Sequence, residues 1–159
     1  MDILNLANLR TIALSEAEDH HQIDAVGGIE PTACPTCHSS LYRHGTQAQV
    51  FMDAPIRGNP VKICIDRRRF RCKVCGKTLF EPLPEIDAKR NMTERLVAYV
   101  EARCLKETFA HVSQEVGVDN KTIRLIFDDY VSRLVTTQVL PAVEFTRIVA
   151  EEGCLGRSG

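Results

Sequence analysis

Apolar and polar residues alternate with a period of two through the middle of the chain. Val61, Ile63 and Ile65 are separated by single residues of lower hydropathy, a pattern typical of a half-buried strand. Residues 57–60 precede this strand and combine Gly, Asn and Pro, which predicts a turn. Because the alternation ends in a basic run that leads straight to Cys72, we expect the strand to continue to that cysteine.

Two further stretches predict strands. Residues 48–56 come before the turn and are expected to form the preceding strand, which ends at Pro55. Residues 3–14 begin with a short apolar turn and then alternate, and residues 20–26, closed by Gly27 and Gly28, are a candidate hairpin partner. The first half of the chain is therefore predicted to be a small β-rich module.

The second half has the spacing of helices. Residues 79–91 hold two prolines followed by a polar stretch, which predicts a linker with a domain boundary near residue 90. Thr93 is a good N-cap for a helix of about three turns. The predicted apolar stripe of this helix consists of Leu96, Val97, Val100 and Leu105.

The segment 109–127 has the spacing of a helix-turn-helix. Gly117 supplies a left-handed turn residue, Val118 the buried residue after the turn, and Asp119 or Asn120 a cap for the second helix. A plain helical hairpin with a glycine C-cap is the alternative. The apolar positions on either side of the turn are Phe109, Val112, Val116, Ile123, Ile126 and Phe127.

The second helix of this pair, predicted over residues 120–134, begins with outward polar side chains. Asn can pair with adenine and Arg with guanine in the major groove, which the first residues of such a helix enter. The predicted groove-facing residues are Asn120, Lys121, Thr122 and Arg124.

Composition places the chain among globular proteins. It is 44% hydrophobic and 26% charged, which excludes wholesale disorder. Its apolar runs are far shorter than the ~18 residues of a membrane span, and no signal peptide is recognisable at the N-terminus. We therefore expect a cytosolic protein without a membrane partner.

A net charge of −1 hides an uneven distribution of charge. Residues 1–33 hold six acidic residues and one basic residue, whereas residues 34–92 hold eleven basic and five acidic residues. A cationic middle section is typical of a surface that binds a polyanion. The alternative is a solvated strand face whose charge is incidental.

The basic run before Cys72 concentrates this charge. Forked guanidinium groups on one strand, with Phe70 interleaved, are suited to phosphate contacts. Alternatively, the charges guard an edge strand against aggregation. The predicted phosphate contacts are Arg67, Arg68, Arg69, Arg71 and Lys73.

The seven cysteines predict a metal site rather than disulfides, since their number is odd and no export signal is recognisable. Four of them form two CxxC pairs, and two such turns supply the four sulfur ligands of a structural zinc site. The pairs are 34 residues apart, a gap that strands folding back on themselves can fill. The predicted zinc ligands are Cys34, Cys37, Cys72 and Cys75.

Other functions of these residues are weaker alternatives. A thioredoxin-like redox pair needs a CxxC at a helix N-terminus, and neither pair opens a helical pattern. Cys64, Cys104 and Cys154 are expected to be bystanders. His38 and His44 could replace a sulfur ligand, but with four cysteines present we expect them to be surface or phosphate-contacting groups.

Taken together, these motifs resemble the N-terminal region of bacterial insertion-sequence transposases of the ISL-three class. The resemblance covers residues 1–134 and implies a zinc finger and a helix-turn-helix that recognise the terminal inverted repeats of the element. Its motifs are Cys34-Pro35-Thr36-Cys37, Tyr42-Arg43-His44-Gly45-Thr46, Asp53-Ala54-Pro55-Ile56-Arg57-Gly58, Arg67-Arg68-Arg69-Phe70-Arg71-Cys72, Cys75-Gly76-Lys77-Thr78-Leu79-Phe80-Glu81 and the helices from Thr93 to Leu134.

The C-terminal residues depart from that class, in which a nuclease domain with an acidic triad follows. Glu144, Glu151 and Glu152 have no partners placed to hold two metal ions, so we expect no catalytic residues and no enzymatic activity. The expected role is that of a transposase-derived DNA-binding protein in the bacterial cytoplasm, associated with the nucleoid. A zinc-dependent protein-interaction module and a transcriptional repressor are the alternatives.

The predicted fold class is α+β, a small β-rich, zinc-ribbon-like module followed by an all-helical helix-turn-helix domain. The expected domains are residues 1–90 and 91–137, with residues 138–159 as a tail whose order the sequence leaves open. Zn2+ is the expected cofactor and double-stranded DNA the expected partner. A second copy of the chain or a full-length transposase are further partners that the sequence leaves open.

Overall fold

A computed structural model describes residues 4–137 of the chain. Seven strands come first and three helices follow. The strands are β1 (Leu9–Glu16), β2 (His21–Gly27), β3 (Leu41–Ile56), β4 (Asn59–Cys72), β5 (Thr78–Phe80), β6 (Ile86–Asp87) and β7 (Met92–Thr93). The helices are α1 (Glu94–Cys104), α2 (Phe109–Val116) and α3 (Asn120–Thr137).

The strands form one mixed sheet around a long central hairpin. Its order is β1-β2-β4-β3-β7-β6, and β5 pairs with β4 beyond that path. Strands β3 and β4 are antiparallel and joined by a two-residue turn, whereas β2 lies parallel to β4. The predicted hairpin of β1 and β2 is confirmed, with its turn at residues 17–20.

The apolar residues of the alternating pattern in β4 form part of the core beneath the sheet. Val61, Ile63 and Ile65 are fully or almost fully buried, and they pack with Ile23 and Phe51 of the neighbouring strands. The intervening residues of β4 are only partly covered. One face of the central hairpin therefore carries the apolar core, as the period of two predicts.

The structure corrects the prediction for the third strand and for the linker. Strand β3 begins at Leu41 rather than at residue 48, because it pairs with β4 along almost its whole length. Residues 79–91 contain the end of β5 and all of β6, so they are not a plain linker. Pairing to a neighbouring strand, which the local pattern cannot reveal, orders these two short segments. The domain division at residue 90 stays a prediction.

Helix α1 begins where the sequence predicts. The Thr93 hydroxyl oxygen accepts a hydrogen bond from the Leu96 N–H at 3.2 Å, which satisfies one free donor of the first turn. Leu96 and Val100 are fully buried. Leu105, however, is 59% exposed, because the helix ends at Cys104 and the chain leaves the buried stripe there.

The helices pack on one another and on the sheet. Met92 of β7 is buried in the same apolar cluster as the helical residues, and Met52 of β3 packs against that cluster. The sequence of a β-rich part followed by helices is thus confirmed. A self-contained all-helical domain is not, because sheet residues complete its core.

Gly117 joins α2 to α3 and contacts the sheet. Its φ of 70° is left-handed, and a Cβ placed on it would lie 2.9 Å from Cβ of Pro60. We expect Gly117→Ala to lower the free energy of unfolding by about 2–5 kcal/mol, the sum of the left-handed backbone cost and of overpacking. Urea unfolding of the zinc-loaded protein measures this change.

Gly45 provides the matched control for that substitution. Its φ is 86°, but a Cβ there would meet nothing within 4 Å. Gly45→Ala should therefore show only the backbone cost of about 1–2 kcal/mol. Equal losses in the two variants would contradict the tight contact between the Gly117 turn and Pro60.

Within residues 4–137, no helix is long and apolar enough to cross a membrane. The predictions for residues 138–159, including those for Glu144, Glu151, Glu152 and Cys154, lie outside the described residues.

Candidate metal centre and nucleic-acid interface

Four thiols meet at one end of the central hairpin. The sulfur atoms of Cys34, Cys37, Cys72 and Cys75 all lie within 4.8 Å of one another. The Cys34 and Cys75 sulfurs are 3.6 Å apart, and the Cys37 and Cys72 sulfurs are 3.4 Å apart. All four cysteines are free thiols, so no disulfide accounts for this proximity.

These distances fit a tetrahedral zinc ion. Sulfurs at ~2.3 Å from a common zinc are separated by about 3.8 Å along each edge of the tetrahedron. A disulfide would instead bring two sulfurs to about 2.05 Å. The four sulfur atoms and the distances between them therefore fit a structural Zn2+ site, in which these four cysteines are the ligands.

The two CxxC turns are brought together by the hairpin between them. The first turn precedes β3, and the second links the end of β4 to β5. Leu41 pairs with Cys72, so the two ends of the long hairpin meet beside the sulfurs. The 34-residue gap in the sequence is thus filled by paired strands, as predicted.

Each cysteine turn closes with a residue of left-handed backbone. Gly76 follows Cys75 with a φ of 69°, and His38 follows Cys37 with a φ of 58°. The His38 N–H donates to the Cys34 carbonyl at 2.9 Å, which closes the first turn. His38 acts here through its backbone and is not one of the clustered ligands.

Hydrogen bonds stabilise the thiolates to different extents. The side chain and the backbone N–H of Ser39 lower the pKa of Cys37 to about 6. The pKa of Cys75 rises to about 11, since the backbone hydrogen bond at Lys77 lowers it less than desolvation and the neighbouring thiols raise it. Four thiolates so close together require a divalent cation, and binding the cation releases their protons.

The helix-turn-helix has the predicted geometry. The Gly117 N–H donates to the Ser113 carbonyl at 3.0 Å, and the Ser113 hydroxyl donates to the Val118 carbonyl at 2.6 Å. Asp119 caps α3, since its carboxylate accepts from the Thr122 N–H at 2.9 Å. Hydrogen bonds from the Thr122 hydroxyl and from its N–H lower the pKa of Asp119, so that this cap is charged at neutral pH.

Three of the four predicted groove-facing residues are open to solvent. Asn120, Lys121 and Arg124 are exposed on the first turns of α3. The guanidinium of Arg124 lies 5.9 Å from the centre of the Phe109 ring. Thr122 is half-buried, and its hydroxyl donates to Asp119 at 2.6 Å, so it mainly completes the helix cap.

The basic run on β4 divides into internal and exposed members. Arg67 donates through Nε and Nη2 to the Glu81 carbonyl at 3.0 and 2.8 Å. Arg69 is half-buried, and its Nε has no hydrogen-bond partner within residues 4–137. Arg71 and Lys73 are exposed. The phosphate contacts of the run stay a prediction, and the exposure of Arg71 and Lys73 favours these two residues most.

Arg68 holds a buried carboxylate. Glu81 is only 1% exposed, and its Oε2 accepts from Nε and Nη2 of Arg68 at 2.9 and 2.7 Å. Its Oε1 accepts from the Arg68 N–H at 2.9 Å. Nη2 of Arg68 also donates to the Gly27 carbonyl at 3.1 Å. These contacts give Arg68 a structural role, which the pattern of the basic run does not predict.

Two residues that the sequence analysis passed over belong to these surfaces. Lys77 is exposed beside the zinc site, and its Nζ donates to the Thr36 hydroxyl at 3.1 Å, linking the two cysteine turns. Leu125 is 53% exposed on α3, one turn after Lys121. Leu125 is four residues after Lys121, and residues at this spacing share one face of a helix, so the sequence could have placed Leu125 on the face predicted to enter the groove.

Two family models match the chain. The first is described as the zinc-finger of transposase IS204/IS1001/IS1096/IS1165 and matches residues 30–75. The second is described as the helix-turn-helix domain of transposase family ISL3 and matches residues 81–131. Searches of curated proteins and of solved structures found no match to the chain.

The two matches agree with the geometry of the chain. The zinc-finger match contains all four cysteines of the metal site, and the helix-turn-helix match contains Gly117 and the first turns of α3. The resemblance inferred from the sequence motifs is therefore confirmed. Residues 30–75 and 81–131 therefore match, in order, the zinc-finger and the helix-turn-helix domain models of ISL3-family transposases.

Proposed function

We propose that the protein binds double-stranded DNA in a sequence-specific manner through α3. The observation that carries this proposal is the exposure of Asn120, Lys121 and Arg124 on the first turns of a helix that follows a left-handed glycine turn. In helix-turn-helix proteins, these first residues of the second helix reach base edges in the major groove.

The charges of α3 favour contact through its N-terminal half. Lys121 and Arg124 are cationic and exposed, whereas Asp128 and Asp129 follow one turn later and are exposed as well. Phosphates would be repelled by the acidic pair and attracted by the basic pair. Leu125, between them, can supply an apolar contact to a thymine methyl group.

The zinc module is proposed to supply contacts to the DNA backbone. Arg71 and Lys73 are exposed next to the cysteine cluster, and Lys77 lies on the same turn. Such cations give affinity for any sequence, and this affinity weakens with salt. Zinc holds the turn that presents them.

We further propose that the preferred sequence lies in the terminal inverted repeats of an insertion element. The support for this is the family of the two domains, whose transposases act on such elements. A protein that occupies these ends without cutting them would act as a repressor of a full-length transposase. Repression depends on binding to the inverted repeats, since both require sequence-specific recognition of DNA.

Replacing Lys121 and Lys73 separately by Ala tests the division of roles between the two surfaces. We expect Lys121→Ala to lose about 1–3 kcal/mol of discrimination between preferred and unrelated DNA. Lys73→Ala should instead weaken binding to all sequences alike and reduce the slope of log affinity against log salt by about one. Fluorescence titrations with both DNAs at several salt concentrations measure these changes.

Lys106 provides the control for both substitutions. It is exposed in the loop after α1, outside the two proposed surfaces, so Lys106→Ala should bind like the parent protein. Unchanged discrimination in Lys121→Ala would remove α3 as the reading helix. A parent protein that ignores DNA at physiological salt would instead favour the protein-interaction module.

A further inference from the structure

The turn between β3 and β4 has an unusual residue at its tip. Ile56 pairs with Asn59, which leaves Arg57 and Gly58 as a two-residue loop. Their φ values are 52° and 79°, and two positive values are the signature of a type I′ turn. Asn is the preferred first residue of such a turn, because it tolerates the left-handed region.

Arginine at this position is costly for folding. A left-handed backbone costs roughly 1–2 kcal/mol for a residue with an ordinary side chain. Arg57 is exposed, and among the described residues its guanidinium has no ion pair or hydrogen bond that offsets this cost. The turn thus presents an unpaired cation where folding alone would favour another residue.

The helix-turn-helix fixes the position of this tip. The Gly117 turn lies against Pro60, with 2.9 Å between a Cβ on Gly117 and Cβ of Pro60. Pro60 is three residues from Arg57, a distance of at most about 11 Å along an extended chain. Asn120 is likewise three residues from Gly117. Arg57 at the tip and Asn120 in the first turn of α3 are therefore each three residues from the contact between Pro60 and Gly117.

An ion pair between the buried Asp53 and the partly exposed Arg95 attaches the same end of the hairpin to α1. The carboxylate of Asp53 is 1% exposed and accepts from the Thr93 hydroxyl at 2.6 Å and from Nε of Arg95 at 2.7 Å. One extra residue of β3 between Asp53 and Ile56 makes a bulge, which bends the strand just before the tip. The end of the hairpin that carries the tip thus contacts the helical part at two places, through Pro60 and through Asp53.

From these contacts we propose that the β3–β4 tip is a second DNA-binding element, in which the Arg57 guanidinium contacts a backbone phosphate beside the groove that α3 enters. This inference rests on the proposed function of α3. The ligand is the phosphodiester backbone of duplex DNA, which a forked guanidinium recognises without regard to sequence. A phosphate contact would also give the cation of this left-handed turn a function.

The test is Arg57→Asn, which removes the charge and installs the residue that the turn prefers. Its thermal midpoint should be equal to that of the parent or higher, so a loss of binding cannot be ascribed to misfolding. We expect weaker binding to the preferred duplex and to an unrelated duplex by the same factor. The salt slope should fall by about 0.9, so that the deficit shrinks about threefold between ~50 and ~200 mM salt.

Arg10→Asn is the matched control, because Arg10 is an exposed arginine on the edge strand β1, which β2 separates from the β3–β4 hairpin. It should leave affinity and salt slope unchanged. If the parent binds DNA and Arg57→Asn binds it equally well with the same slope, the tip is not a contact and the inference is wrong. A change of sequence preference in Arg57→Asn would likewise overturn the phosphate contact. If the parent itself binds no DNA, the proposed function fails first.

Discussion

Replacement of Cys72 by Ser is expected to abolish stoichiometric zinc binding and to unfold the β-rich module. Cys72 is buried at the end of β4, and its sulfur lies 3.4 Å from that of Cys37. Zinc binding by structural sites contributes about 10–16 kcal/mol, which rivals the whole stability of an ordinary domain. Elemental analysis of zinc per chain and circular dichroism together measure the two effects.

Cys64→Ser is the matched control for this substitution. Cys64 lies on the same strand but outside the four-cysteine cluster, and burial raises the pKa of its thiol. This variant should retain one zinc per chain. Treating the parent protein with a chelator should reproduce the unfolding seen in Cys72→Ser. Full zinc content and native structure in Cys72→Ser would contradict the four-sulfur site.

Arg68→Ala is expected to destabilise the protein by about 3–5 kcal/mol, because it leaves a buried carboxylate without its cation. Glu81, 1% exposed, would retain only the Arg68 backbone N–H as a donor to its carboxylate among these contacts. Urea unfolding of the zinc-loaded protein gives the change in free energy.

Arg71→Ala separates this structural role from the loss of a positive charge. Arg71 lies on the same strand but is exposed, and its removal deletes one exposed hydrogen bond, from Nε to the Gly76 carbonyl at 3.2 Å, so it should cost no more than about 1 kcal/mol. It should also weaken DNA binding, whereas Arg68→Ala should act through folding. An Arg68→Ala variant as stable as the parent but weaker in DNA binding would restore the phosphate contact predicted from the sequence.

The metal site was predictable because its chemistry is local. Each CxxC segment contains two ligands at the spacing that zinc sites use, and the odd number of cysteines argued against disulfides. The helix-turn-helix was predictable for a similar reason, since Gly117 and the apolar positions around it lie within one short segment. Both features depend on residues that are close in the sequence.

The role of the basic run was not predictable in this way. Arg68 finds its partner in Glu81, thirteen residues later, and nothing in the spacing of the two shows that the carboxylate is buried. The short strands β6 and β7 were missed for the same reason, because two residues carry no periodicity of their own. Contacts between distant segments decide these features.

The most direct test of sequence-specific DNA binding is selection of bound duplexes from a random pool, with zinc-loaded protein and in the presence of a chelator. We expect the zinc-loaded protein to enrich one sequence motif and the chelated protein to enrich none. Selection without any enriched motif by fully zinc-loaded, folded protein would contradict the account.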